Sequence, residues 1–121
     1  MKSFLAGLSV VLMLVISAFA GGNTQKIEGY LVDVSCASEN AKKPKPGFAS
    51  KHDKECLQMP DCAESGYSIV TADDKVVKFD AKGNETAKKL IAESKKQKNF
   101  KASASGTLEG DSLKVESLTI E

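Results

Sequence analysis

The sequence contains no tryptophan, no arginine and only one histidine, and its three cysteines are an odd number. Its 121 residues carry a formal net charge of +1 at pH 7, and 6% of them are aromatic. Surfaces that bind nucleic acid need clustered basic groups and stacking side chains, so this composition argues against a nucleic-acid partner. The length argues against a multidomain enzyme, and the glycine patterns of phosphate and dinucleotide sites are absent. The C-x-x-C-H pattern of covalent haem attachment is absent as well.

The N-terminal segment is typical of a cleavable secretory signal peptide. Lys2 precedes the uncharged apolar stretch 4–19, and Ala18-Phe19-Ala20 has the small residues of a cleavage site. We expect residues 1–20 to be removed after Ala20, which places the protein in the periplasm or outside the cell. Retention as an N-terminal anchor is the alternative, but the stretch is short for a membrane span. Removing 20 of the 121 residues leaves 101, and losing Lys2 from the 17 basic residues leaves 16 against 16 acidic ones.

We interpret the rest of the chain as one small domain. We predict a flexible lead over 21–25 and a domain over 26–121, with no membrane span after cleavage. A strand-like run extends from Lys26 to Cys36, and an irregular loop over 37–65 follows it. That loop holds all three prolines of the chain and many of its lysines. Loops of this length are usually functional or fastened from outside.

Regular elements resume after the loop. Residues 67–72 and 75–80 form a hairpin around Asp73-Asp74. Gly83-Asn84 opens a helix in which Asn84 is the expected N-cap, and its apolar face comprises Ala87, Leu90, Ile91 and Ser94. Two strands end the chain, and the second changes its apolar parity near Ser117, which predicts a bulge there.

This element order predicts the fold class. Strand, long loop, strand, strand, helix, strand and strand is the order of a five-stranded OB barrel. We therefore predict a mostly β domain with one helix, folded as a small OB-like barrel with a long cysteine-rich loop between strands 1 and 2. An open meander with a helix on one face is the alternative topology.

The opening of the domain resembles a known family. Gly29-Tyr30-Leu31-Val32-Asp33-Val34-Ser35-Cys36 resembles the G-x-x-x-D-x-x-C opening of a family of small exported bacterial proteins that is catalogued as a domain of unknown function. The family pattern continues with a loop that bears His and Cys, and it ends in a segment similar to residues 106–118. The resemblance covers nearly all of the mature chain. It implies export and a small β domain with a Cys/His loop, and it implies no activity.

The cysteine and histidine residues lie close together in the sequence, and a disulfide is the first interpretation. Export favours paired cysteines. Cys36 ends the first predicted strand and Cys62 precedes the second, so antiparallel pairing would bring them together. A bridge across this loop would stabilise the fold by about 3.5 kcal/mol in the chain-entropy model. Pairings that involve Cys56 stay open, because sequence alone does not fix the connectivity.

A metal site is the second interpretation. Three thiolates and one imidazole form a known tetrahedral zinc set, here Cys36, His52, Cys56 and Cys62. Met59 lies midway between Cys56 and Cys62, which makes a copper(I) site with a thioether ligand conceivable. Zinc and copper are the cofactors that the sequence suggests.

Thiol chemistry is the third interpretation. His52 and nearby lysines could lower the pKa of a thiol, and a Cys–His–acid arrangement could include Asp33 or Asp53. No C-x-x-C pattern and no βαβ pattern surround the cysteines, which argues against a thioredoxin-like enzyme. We favour a non-enzymatic exported module that binds a small ligand or a protein, its loop fastened by a disulfide. A metal-binding protein is the alternative, and a thiol-redox protein ranks third.

Overall fold

Five strands form a closed barrel in a computed structural model that describes residues 24–121. The predicted signal peptide lies outside the described residues. Neighbouring strands follow the order β1-β2-β3-β5-β4, and β4 pairs back with β1. The β3–β5 pair is parallel and the other pairs are antiparallel. The strands are β1 Thr24–Asp33, β2 Tyr67–Val70, β3 Val76–Phe79, β4 Lys101–Glu109 and β5 Ser112–Ile120. The predicted small five-stranded barrel is confirmed, and the open meander is wrong.

Helices occupy much of the segment that the sequence predicts to be an irregular loop. The prediction of an irregular loop over 37–65 and of a single helix in the domain is therefore wrong. Short capping patterns explain the difference, because an aspartate side chain caps α1 and α3 and a proline opens α4. The helices are α1 Val34–Lys42, α2 Phe48–Lys51, α3 Lys54–Gln58, α4 Pro60–Glu64 and α5 Ala81–Glu93. We call the segment 34–64, with its four helices, the helical insertion.

The first strand is shifted toward the N-terminus relative to its prediction. It begins at Thr24, which pairs with Thr107, so the last residues of the predicted flexible lead belong to the barrel. It ends at Asp33 instead of Cys36, because the Asp33 side chain accepts a hydrogen bond from the Cys36 backbone N–H and starts α1. Cys36 therefore lies in a helix.

The capping residue of α5 also differs from the prediction. Asp80 accepts a hydrogen bond from the Gly83 N–H at 3.0 Å and is the N-cap, so the helix begins at Ala81. Asn84 lies within the helix, and its side chain accepts a hydrogen bond from the Tyr67 N–H at 2.8 Å. The predicted inner face is confirmed at Ala87 and Ile91, which are fully buried. Ser94 is the C-cap.

The terminal hairpin contains the predicted bulge. Ser105 pairs with Ser117, whereas Gly106 pairs with Val115, so Glu116 is the extra residue. Gly106 is needed here because a Cβ atom would overlap the carbonyl group of Lys114. The bulge therefore depends on close approach of two backbones.

The helical insertion packs on the barrel through apolar side chains and several hydrogen bonds. Ala37 of α1 is buried in a small cluster with the strand residues Val32 and Val70. Leu57 of α3 is fully buried within the barrel core. The Lys54 N–H donates to the Gln97 carbonyl at 2.8 Å, and the Lys54 Nζ donates to the Ser94 carbonyl at 2.6 Å. These contacts fasten the insertion to the α5–β4 connection. Within residues 24–121, no helix is both long and apolar enough to span a membrane.

Tyr67→Phe tests the link between the insertion and the barrel. The buried Tyr67 hydroxyl donates to the Leu57 carbonyl at 2.8 Å. Its removal leaves that carbonyl without its partner, so we expect the free energy of unfolding to fall by about 1.5 kcal/mol in urea denaturation. Tyr30→Phe, at a half-buried position of β1, is the control and should cost less than about 0.5 kcal/mol. Equal losses in the two variants would show that the Tyr67 hydroxyl does not stabilise the insertion.

Candidate metal centre

Asp33 is the central residue of the candidate site. It ends β1, and its side chain is fully buried. Its Oδ2 accepts the Cys36 backbone N–H at 2.9 Å, and its Oδ1 lies 2.7 Å from His52 Nε2. A carboxylate can only accept, so Nε2 carries the proton and donates. The two bonds fix the start of α1 and the position of the His52 ring.

The Asp33 carboxyl is ionised at neutral pH. Burial by itself would raise its pKa, but the hydrogen bonds from His52 and from the Cys36 backbone outweigh burial. The pKa of Asp33 is therefore lowered. A buried negative charge is present beneath the helical insertion.

His52 is held between this carboxylate and an aromatic ring. It follows α2 and is buried, with 6% of its surface exposed. The Phe48 ring lies one helical turn earlier, and the two ring centroids are 5.2 Å apart. The only histidine of the chain is thus a fixed part of the site, and it is not a solvated loop residue.

Asp33, Cys36 and His52 converge on one point. Each offers one ligand atom, and these atoms all lie within 4.8 Å of one another. Ligand atoms around a tetrahedral zinc ion are about 3.3–3.8 Å apart, given bonds of roughly 2.0–2.3 Å. An ion bound between Asp33 and His52 would replace their hydrogen bond, and the imidazole proton would then be on the ring nitrogen that does not bind the ion. Small side-chain rotations would place all three ligand atoms around that ion. Thiolate, imidazole and carboxylate are all ligands that zinc accepts.

Cys36 and Cys62 adjoin each other. Antiparallel pairing of Asp33 with Tyr67 brings α1 against α4, and each of the two cysteines affects the pKa of the other. The predicted proximity of these two cysteines is thus present. All three cysteines are free thiols in the structure, so the predicted disulfide is not confirmed and stays a prediction.

The thiols hold their protons strongly. Burial raises the pKa of both Cys36 and Cys62, and the Asp33 carboxylate raises each further. Burial and the hydrogen bond to Asp53 raise the pKa of Cys56 to about 11. Thiolate nucleophiles have lowered pKa values, so these shifts argue against a reactive thiol. A bound cation would offset the same negative charges and favour the thiolate.

The structure brings together only some of the four ligands that the sequence predicts. It brings Cys36 and His52 into one cluster with Asp33, and it places Cys62 beside Cys36. Cys56 lies outside the three-residue cluster, next to its own capping residue Asp53.

Sequence reasoning did not identify Asp33 as a possible metal ligand. The sequence suggests Asp33 only as the acid of a nucleophilic site and as the aspartate of the G-x-x-x-D-x-x-C opening. The spacing D-x-x-C occurs at Asp33–Cys36 and again at Asp53–Cys56, and in both cases the aspartate caps the cysteine N–H. This capping pattern could have placed Asp33 next to Cys36. Burial and the contact with His52 distinguish the first copy, and both depend on the tertiary fold.

Met59 is exposed, whereas Asp33 and His52 of the cluster are buried. It connects α3 and α4, and 49% of its surface is exposed. It is the only large hydrophobic side chain of the described region that is this exposed. The arrangement gives no support to a thioether ligand for copper(I).

Comparisons with family models, curated proteins and solved structures found no match to this chain. The resemblance of residues 29–36 to the exported family stays a prediction. We therefore infer the function from the geometry of the site.

Proposed function

We propose that this chain is an exported zinc-binding protein with an OB-like barrel and that Asp33, Cys36 and His52 hold the ion. The observation that carries the proposal is the convergence of one carboxylate, one thiol and one imidazole within 4.8 Å. One thiolate, one imidazole and one carboxylate form a borderline set, which suits zinc better than copper(I). The strand order β1-β2-β3-β5-β4 supports the OB-like description.

Burial makes this cluster different from an ordinary group of polar side chains. Asp33 is fully buried and His52 nearly so, while Cys36 is half-buried and reaches the surface. An ion could therefore enter from the Cys36 side and bind on a rigid support. The support is rigid because Asp33 belongs to a barrel strand and caps a helix.

Zinc titration of the purified reduced protein tests the proposal. We expect one zinc per chain, with release of the Cys36 thiol proton on binding. Cys36→Ser and His52→Ala should weaken binding by more than the roughly 10–100-fold loss that follows from removing an outer-shell partner. Cys56→Ser is the matched control, since its backbone N–H is also capped by an aspartate three residues earlier. It should leave the affinity within about twofold.

Two outcomes contradict the proposal. One is the absence of stoichiometric zinc binding to a folded, reduced chain. The other is an equal loss of affinity in Cys36→Ser and Cys56→Ser, which would show that zinc binds to thiols without regard to the cluster. Circular dichroism of each variant checks that the barrel is intact.

A disulfide-fastened binding module is the second candidate, and the packing of α1, which carries Cys36, against α4, which carries Cys62, favours it. Exchange with an external disulfide would form this bridge, reduce that disulfide to two thiols with the two hydrogens of Cys36 and Cys62, and consume the thiolate that zinc requires. Intact mass after alkylation separates the candidates, because the bridged chain has one reactive thiol and a mass deficit of two hydrogens. The raised pKa values of the thiols support neither redox catalysis nor a nucleophilic cysteine.

A further inference from the structure

A cavity lies beside Cys36, and it is the larger of two cavities that residues of the cluster line. It has a volume of about 390 Å³ and lies over α1 and the turn that follows it. Of the three residues in the cluster, only Cys36 lines it. The other lining residues are Glu39, Asn40, Lys42, Lys43, Lys45 and Phe48.

The charge of this cavity is positive. Three lysines face one glutamate, which leaves an excess of two positive charges. The backbone that carries the lysines is held in place, because the Asn40 side chain accepts the Lys45 N–H at 3.0 Å and the Glu39 carbonyl accepts the Lys43 N–H at 3.2 Å. The three lysine side chains are exposed, and a group of cations around a concave site attracts anions.

An aromatic side chain connects the cavity with the candidate site. Phe48 lines the cavity and packs against His52. An anion in the cavity would therefore lie between the lysines and the open side of the cluster, next to the Cys36 sulfur.

A zinc ion held by Asp33, Cys36 and His52 would have one vacant tetrahedral position. Zinc sites with three protein ligands commonly bind water or another small ligand there. One carboxylate and one thiolate neutralise the two charges of the ion, so the lysines retain their attraction for a further anion. Cys36 is the cluster residue that lines the cavity, so an anion bound there would be next to one of the metal ligands.

We propose that this cavity binds a small carboxylate-bearing anion, which completes the coordination of the metal and is held by Lys42, Lys43 and Lys45. The inference rests on the proposed zinc site. It adds to that site an exchangeable ligand, and it identifies this ligand as a small carboxylate.

Acetate titration of the cobalt(II)-substituted protein tests this inference, because the visible absorption of cobalt(II) reports on its coordination. We expect acetate to change that spectrum in a saturable way. The triple variant Lys42→Gln, Lys43→Gln, Lys45→Gln should bind acetate about tenfold more weakly and bind cobalt(II) nearly as well. The control is Lys88→Gln, Lys89→Gln, Lys95→Gln, which removes the same charge from exposed positions in and just after α5. It should leave the acetate affinity unchanged.

The outcomes separate this inference from the proposed function. Cobalt(II) binding with no spectral response to acetate would overturn the anion site and leave the metal site standing. An equal loss of acetate affinity in both triple variants would overturn the assignment to this cavity. Failure of cobalt(II) to bind the folded protein would overturn the metal site and the anion site together.

Discussion

Replacing Asp33 with alanine is expected to lower the free energy of unfolding of the metal-free protein by about 3 kcal/mol. Loss of the N-cap of α1 contributes about 1 kcal/mol of this. The rest, about 2 kcal/mol, comes from the buried bond to His52, whose ring then lacks its charged partner. Urea denaturation in the presence of a chelator measures the change.

Asp53→Ala is the matched control for this prediction. Asp53 caps α3 by accepting the Cys56 N–H at 2.8 Å, as Asp33 accepts the Cys36 N–H. It is only half-buried, so we expect a loss of about 1 kcal/mol, the contribution of a cap alone. Asp33→Asn retains a capping oxygen and should fall between the two variants. Equal losses in Asp33→Ala and Asp53→Ala would contradict a stabilising role for the Asp33–His52 bond.

Leu57→Ala is expected to have an effect of similar size, about 3 kcal/mol, because it opens a cavity where the helical insertion meets the barrel core. Leu57 is fully buried and adjoins Cys56 in α3. The measurement is again denaturation in urea. Met59→Ala is the control, since it removes an apolar side chain of similar size two residues later where half of the surface is exposed. A loss above about 1 kcal/mol for Met59→Ala, or below it for Leu57→Ala, would contradict the proposed packing of α3.

The barrel was predictable because its strands carry local patterns. Residues 100–109 alternate strictly, and the buried positions Phe100, Ala102 and Ala104 are those that alternation predicts. The bulge at Glu116 follows from a change of parity that the sequence displays directly. Period-two alternation is a property of neighbouring residues and needs no tertiary information.

The helices of the insertion were less predictable because they are short. A five-residue helix such as α3 has too few turns for a hydrophobic period, and tertiary contacts stabilise it. The N-cap of α5 also depends on tertiary contacts. Asp80 and Asn84 are both good capping residues, and only the position of Tyr67, which donates its N–H to Asn84, separates their roles.

Only part of the candidate site could be predicted from the sequence, because the rest depends on tertiary contacts. Cys36 and His52 attract attention as residue types, and pairing of β1 with β2 predicts that Cys36 lies near Cys62. Aspartate is common in this sequence, and nothing in its spacing alone marks Asp33 as buried. Its burial follows from its position at the end of a barrel strand that the helical insertion covers.

Native mass spectrometry of the purified protein, followed by alkylation of its thiols, tests whether the cluster holds a zinc ion. We expect one zinc ion per chain, with Cys36 alkylated more slowly while zinc is bound than after a chelator removes it. We also expect Cys56 to react equally in both states. A chain without zinc in which Cys36 and Cys62 are joined by a disulfide, or in which each of the three thiols reacts equally fast whether or not zinc is present, would contradict the zinc site.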